Sequence, residues 1–170
     1  MSSTPRETLW YFAYGSNLDP GTFLGRRRMR PLDACCARLD GWRLVFDLRV
    51  GPGERGVANL LPDAGAWVHG VAWAIGRRQA AWLDLTEGVP QGVYRREAVR
   101  LARDDAGPLL AFTYVSEHRT PDRRPSQRYM NLLLRGARHH RLPDAWLTRL
   151  RAVPLAVDER QAQGELDLGR

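Results

Sequence analysis

The stretch Ala66-Trp67-Val68-His69-Gly70-Val71-Ala72-Trp73-Ala74-Ile75 decides the fold class. One set of alternate residues reads Trp67, His69, Val71, Trp73, Ile75, and the other reads Ala66, Val68, Gly70, Ala72, Ala74. A period of two is a strand. Bulky residues on one face and mostly small ones on the other predict a close approach by a second element, as inside a tightly curved sheet or barrel. His69, on the bulky face, reads as a core histidine with its hydrogen bonds satisfied.

Working outward, Val57-Ala58-Asn59-Leu60-Leu61 reads as a separate short strand ended by Pro62-Asp63. The segment from Ala34 to Asp47 is strand-like but irregular, and Gly51 to Gly56 is a flexible connection. Leu9-Trp10-Tyr11-Phe12-Ala13-Tyr14 is continuously apolar or aromatic and stops at Gly15, which suits a buried strand ending in a tight loop. Asp19-Pro20 has the chemistry of a helix start. Downstream, Arg77 to Leu85 reads as a short helix broken at Gly88 and Pro90. Val93 to Leu101 and Leu109 to Val115 form a strand pair joined by the turn-rich Arg103 to Pro108. Ser126 caps a helix with the inner stripe Met130, Leu133, Leu134, Ala137, and a last helix from about Asp144 carries Trp146, Leu147 and Leu150. This order predicts an α+β domain with a small mixed, partly closed β-barrel and flanking helices. The whole chain, 1–170, reads as one domain with an ordered core over about 9–154 and a polar, mobile tail over 158–170.

The 170 residues are 44% hydrophobic and 26% charged, enough for a core without disulfide or metal staples. No apolar run approaches the roughly 20 residues needed to cross a bilayer, and the N-terminus lacks a signal-like apolar stretch, so the expectation is no membrane and a cytoplasmic address. Cys35 and Cys36 are neighbours without a metal-ligand quartet around them, so no metal site is expected. The net charge of +7 comes from arginine alone, since the sequence has no lysine. Arg26-Arg27-Arg28 with Arg30 has no interleaved aromatics to stack bases, and reads as a solvated basic face rather than a nucleic-acid site.

Two segments carry candidate chemistry. Tyr14-Gly15-Ser16-Asn17 ends a strand with consecutive backbone N–H groups, and Gly15 permits a positive φ, a geometry that can cradle a carboxylate or an oxyanion. Trp82-Leu83-Asp84-Leu85-Thr86-Glu87-Gly88 places Glu87 in the last turn of a helix with Gly88 as terminator. Negative helix-end charge and apolar neighbours there would raise its pKa towards that of a general base. Taken singly, the loop reads more readily as a plain turn and Glu87 as an ordinary exposed acid. Asp84 could share a helix face with Glu87, although paired carboxylates of glycosidases normally come from separate elements. No nucleophile elbow, zinc spacing, dinucleotide fingerprint or P-loop is present, and His139-His140 reads as a solvated helix end.

Together the segments resemble the γ-glutamylcyclotransferase family. The resemblance is carried by Tyr11-Phe12-Ala13-Tyr14-Gly15-Ser16-Asn17-Leu18, Leu83-Asp84-Leu85-Thr86-Glu87-Gly88, Gly92-Val93-Tyr94 and Pro125-Ser126-Gln127-Arg128-Tyr129, in that order, over roughly residues 9 to 154. The Tyr-Gly-Ser-Asn-Leu loop is similar to the branch acting on γ-glutamyl dipeptides and related γ-glutamyl amides. The resemblance implies a small-molecule γ-glutamyl substrate, release of 5-oxoproline and an amino acid or amine, and no metal or organic cofactor. It implies Glu87 as general base and acid. It also implies a substrate loop over Tyr11, Phe12, Ala13, Tyr14, Gly15, Ser16 and Asn17, with Tyr129 bonding the glutamyl end and Tyr94 as pocket wall. Removal of a γ-glutamyl group from a larger amine by the same ring closure, and a non-catalytic γ-glutamyl or amino-acid binding module, are the alternatives. A homodimer stays open, because the sequence sets no oligomeric state.

Overall fold

The computed structural model describes residues 7–157; the polar tail expected over 158–170 lies outside the described residues. Five strands form one sheet in the order β2-β3-β1-β5-β4, with β1 Thr8–Ala13, β2 Asp33–Arg49, β3 Gly56–Gly76, β4 Arg95–Leu101 and β5 Leu109–Val115. Three helices flank it: α1 Arg77–Thr86, α2 Gln127–His139 and α3 Asp144–Arg151. β1 lies in the middle, antiparallel to β3 and parallel to β5, and its end, Tyr11, Phe12 and Ala13, is buried. A central strand covered on both faces needs apolar residues at successive positions, which explains the unbroken run in the sequence.

The alternation in 66–75 has the expected consequence. Gly70 is covered so closely that an added Cβ would lie 2.3 Å from the Ala13 carbonyl oxygen and 2.7 Å from the Phe12 ring. From Val71 to Ile75 both faces are buried, while Trp67 remains 46% exposed. His69 is half-buried with its ring edge-on to Trp146.

Two expectations need correction. The strand read as ending at Pro62 continues: β3 is a single element of 21 residues, and Pro62 pairs with Trp42. A proline is tolerated there because β1 covers only Val71–Gly76 of β3, so at Pro62 one edge has no ladder needing an N–H, and β2 bulges alongside between Asp40 and Trp42. The bulges, there and between Val45 and Leu48, also account for the irregular pattern of β2. The sheet, secondly, does not close by a continuous ladder. Its two edges, β2 and β4, meet through a single antiparallel bridge between Arg38 and Ala102, with N–H to carbonyl distances of 2.9 and 2.8 Å. The architecture is therefore α+β with a curled, open sheet.

Beyond β1 the chain turns through Ser16–Leu18 and winds a short π-helical segment over Gly21–Arg26. Asp19 fixes this turn. Its carboxylate is 1% exposed, accepts from the Thr22 N–H and hydroxyl at 2.9 Å each, and takes two bonds from the Arg135 guanidinium at 2.6 and 2.8 Å. The Arg135 hydrogen bonds, supported by those from Thr22 and opposed by burial, hold the Asp19 carboxyl down at about 2, against an ordinary 3.8. A carboxyl whose folded-state pKa is depressed contributes stability that is present above its unfolded pKa and is lost as pH falls through the folded one. Asp19 is therefore expected to add stability above pH ~4 that disappears towards pH ~2, in an amount limited by solvent screening at the exposed Arg135. Denaturant unfolding of wild type and Asp19→Asn from pH 5 to 2 should show the gap in stability closing as pH falls; a gap that stays constant would show that the charge contributes nothing.

Candidate active site

Two elements deliver the residues of the recess. At the end of β1 the chain leaves the sheet and turns, since Leu18 and Asp19 donate their N–H groups back to the Gly15 and Ser16 carbonyls at 3.0 and 3.1 Å. The Trp73 indole N–H, from β3, holds the Asn17 carbonyl at 3.2 Å. At the end of α1, Glu87 is the capping residue, with its N–H on the Leu83 carbonyl at 2.9 Å, and Gly88 turns the chain left-handed at φ 67°. The helix thus stops where its last side chain points back at the β1 loop.

Between them lies a small, narrow recess. Tyr11, Tyr14, Gly15, Ser16 and Asn17 line it together with Glu87, Tyr94 and Tyr129. Ala58 and Tyr114 complete the wall. Phe12 and Ala13, expected as part of the substrate loop, do not line the recess. Both are fully buried in β1, and strand alternation turns Phe12 to the face opposite Tyr11.

Glu87 has an asymmetric environment. Its Oε1 accepts from Asn17 Nδ2 at 3.0 Å and pairs with the Arg27 guanidinium at 3.0 Å, while Oε2 has no protein partner among the described residues. Asn17 Nδ2 also donates to the Tyr11 hydroxyl at 2.9 Å, so both donors of the amide are used and Asn17 Oδ1 is left buried without a partner. Burial raises the Glu87 pKa above the ordinary 4.5, and Arg27 and then the Asn17 hydrogen bond oppose that rise. The helix C-terminus acts in the same direction as burial. The outcome is a carboxylate biased towards taking a proton.

The tyrosines around it stay neutral, because burial raises the phenols of Tyr11, Tyr14, Tyr94 and Tyr114. Tyr129 is pushed up to about 12 by burial, against the pull of hydrogen bonds from the Ala58 N–H and Ser16. Its oxygen accepts from the Ala58 N–H at 3.1 Å, and the Tyr94 hydroxyl donates to the Ala58 carbonyl at 2.8 Å. Ala58 serves two tyrosines because β1 does not reach that part of β3, leaving the strand edge free. Tyr14 donates to the Tyr114 carbonyl at 2.6 Å. Tyr114 in turn donates to Asp84 at 2.6 Å, which also takes two bonds from Arg96 at 2.8 and 2.9 Å. Asp84 is thereby committed to tying α1 to β4 and β5, and forms no carboxylate pair with Glu87.

Several sequence expectations change. Gly15 has φ −112°, not a positive value. Space is its requirement, since an added Cβ would lie 3.0 Å from the Tyr129 hydroxyl and 3.1 Å from Ala58 Cβ. Arg27, read within a solvated basic face, has a side chain only 20% exposed and pairs with Glu87. His140, read as solvated, faces the Leu18 carbonyl through Nε2 at 3.0 Å and sits edge-on to Trp73. As site residues, Arg27, Ala58 and Tyr114 escaped the sequence reading. Ala58 acts through its backbone, Tyr114 looks like any strand aromatic, and nothing separates Arg27 from the arginines beside it. Among the described residues no cluster of His, Cys, Asp and Glu has the makings of a metal site, and no helix is long and apolar enough to cross a membrane.

A family model described as the AIG2-like family matches residues 67–150. The γ-glutamylcyclotransferase of Mus musculus is 30% identical over 151 residues, covering 86% of this chain and 79% of its own length. The chain belongs to the γ-glutamylcyclotransferase family. Membership makes it an enzyme of the cyclotransferase type. The γ-glutamyl cyclotransferase aclK of Aspergillus oryzae is 31% identical over 166 residues and covers 84% of this chain; the chain spans 60% of the length of that relative. A solved γ-glutamyl cyclotransferase structure superposes with a TM-score of 0.77 at 27% identity, over 88% of this chain and 89% of that one. The curled five-stranded sheet with its flanking helices is thus the architecture of this family.

Proposed function

We propose that the protein closes the γ-glutamyl group of a γ-glutamyl dipeptide, or a related γ-glutamyl amide, to 5-oxoproline and releases the amino acid or amine. The observation that carries this reading is the lone carboxylate of Glu87 in a small recess, one oxygen held by Arg27 and Asn17 and the other without a protein partner. The reaction needs a single group of this kind. Glu87 takes a proton from the substrate α-ammonium; the freed amine attacks the γ-carbonyl carbon and forms the ring C–N bond. The tetrahedral intermediate then breaks its other C–N bond as the same carboxyl returns the proton to the departing nitrogen, and the surplus proton of the ring nitrogen passes to the released amine, leaving a neutral lactam and an ammonium group. Nucleophile and electrophile belong to one molecule, so a site that folds the glutamyl chain gains much of the acceleration by orientation alone.

The developing oxyanion needs donors. Tyr129 is suited to this, because its oxygen already accepts the Ala58 N–H and its neutral hydroxyl keeps a proton to give. Ser16 also bears on that hydroxyl, so the oxyanion is assigned to Tyr129 with Ser16 beside it rather than to an independent loop hole. Such groups are pre-aligned by the fold and require no rearrangement at the moment of reaction.

The test is a panel of γ-glutamyl dipeptides, γ-glutamylamines and glutathione, incubated with purified protein and scored for 5-oxoproline by mass spectrometry. Release from at least one dipeptide is expected. Binding of γ-glutamyl ligands with no 5-oxoproline from any of them would instead make the recess a binding module.

A further inference from the structure

We infer that Arg27 is the positioning residue of the base: it holds one oxygen of Glu87 in place so that the other stays turned to the substrate. The inference rests on the proposed cyclotransfer and adds to it a residue from outside every motif of the site.

The geometry carries it at three points. The guanidinium reaches Glu87 Oε1 at 3.0 Å, the same oxygen that Asn17 Nδ2 holds at 3.0 Å, so the carboxylate is pinned on one side only. The Arg27 backbone is fastened to the helix that carries Glu87, because the Trp82 indole N–H of α1 donates to the Arg27 carbonyl at 3.0 Å. The Arg27 N–H, finally, closes onto the Thr22 carbonyl at 2.9 Å, in the turn that the buried Asp19 fixes. Immediately after it the chain bends sharply, with Arg28 in the left-handed region at φ 56°. Arg27 is thus aimed inward from a segment anchored at both ends.

The charges around Glu87 say what the arrangement does. Tyr11 from β1, Tyr14 and Asn17 from the loop, Tyr94 before β4 and Tyr129 from α2 are all neutral. Arg27 supplies the positive charge, and its pull opposes the effect of burial on the carboxyl. Without it, burial and the helix end would act unopposed and Glu87 would spend more time protonated, unable to accept the substrate proton. Arg27 Nε is buried without a partner. That makes the pair a poor stabilising contact, and a weak explanation of the site by stability alone.

The experiment measures the pH dependence of kcat/KM for 5-oxoproline release, and in parallel titrates the Glu87 carboxyl of substrate-free protein by infrared difference against Glu87→Gln. In Arg27→Gln the acid limb and the titration should both move up by about one pH unit, lowering kcat/KM about tenfold on that limb. Arg27→Lys restores the positive charge and is expected to keep the limb close to that of wild type. Wild-type positions for both limb and titration in Arg27→Gln would overturn the inference. If that variant does not fold, a limb displaced in Arg27→Lys would overturn it equally. A wild-type protein that releases no 5-oxoproline would sink the proposed activity instead, while the substrate-free titration would still decide whether Arg27 governs Glu87.

Discussion

Glu87→Gln is expected to lower kcat for 5-oxoproline release by about 10³–10⁴-fold, the upper part of the range for a general acid–base group. The loss is large because one carboxyl serves two proton transfers, removal from the attacking amine and delivery to the departing one. The amide keeps the size and the oxygen that Asn17 Nδ2 and Arg27 hold, but it can take no proton. Burying the carboxylate is itself a cost, so removing the charge should leave stability within about 1 kcal/mol of wild type. A melting temperature within about 4 °C, together with the collapse in kcat, separates lost chemistry from lost fold. Wild-type kcat in Glu87→Gln would falsify the assignment of the base. In the parent enzyme the acid limb of kcat/KM should lie above the ordinary glutamate value of 4.5, since burial raises this carboxyl and the ionised form is the active one.

Tyr129→Phe is expected to lower kcat by about 10²-fold with a smaller change in KM, the pattern of a donor used more strongly by the transition state than by the ground state. The ring is retained, and with it the edge-on contact to Phe46 at 6.4 Å. The hydroxyl that the Ala58 N–H donates to is lost, and an unsatisfied donor of this kind costs about 1–3 kcal/mol. Stability should therefore fall measurably without preventing folding. Comparing kcat and KM separates the roles: if Tyr129 were only wall, Phe would fill the same space and kcat would hold. Combining Tyr129→Phe with Glu87→Gln should cost less than the sum of the two losses, because with the proton path gone the oxyanion seldom forms.

Legibility in the sequence followed the range of the physical signal. The alternation in 66–75 is local, so the strand and the tight cover over Gly70 could be read directly. The cap at Ser126 and the stripe Met130, Leu133, Leu134, Ala137 were equally local, and in the structure Ser126 accepts from the Tyr129 N–H at 3.1 Å while Met130, Leu133 and Ala137 are buried and Leu134 is partly buried. Pro62 misled because a proline ends a strand only where both edges need donors, and strand order is a tertiary fact. Gly15 misled for a related reason. A glycine can be demanded by backbone conformation or by a neighbour, and only the fold shows that the neighbours are Tyr129 and Ala58.

The site divides in the same way. That Glu87 ends a helix and that Tyr14 to Asn17 end a strand could be read from consecutive residues, where capping and strand endings are written, while the family came from the resemblance of the ordered motifs. Which charge meets Glu87 is settled by the fold. Arg27 lies 60 positions away in a run of like residues, and its selection depends on the turn fixed by Asp19, the bend at Arg28 and the indole of Trp82. Electrostatic partnership is a matter of distance and burial. Neither has a period that a linear chain can display.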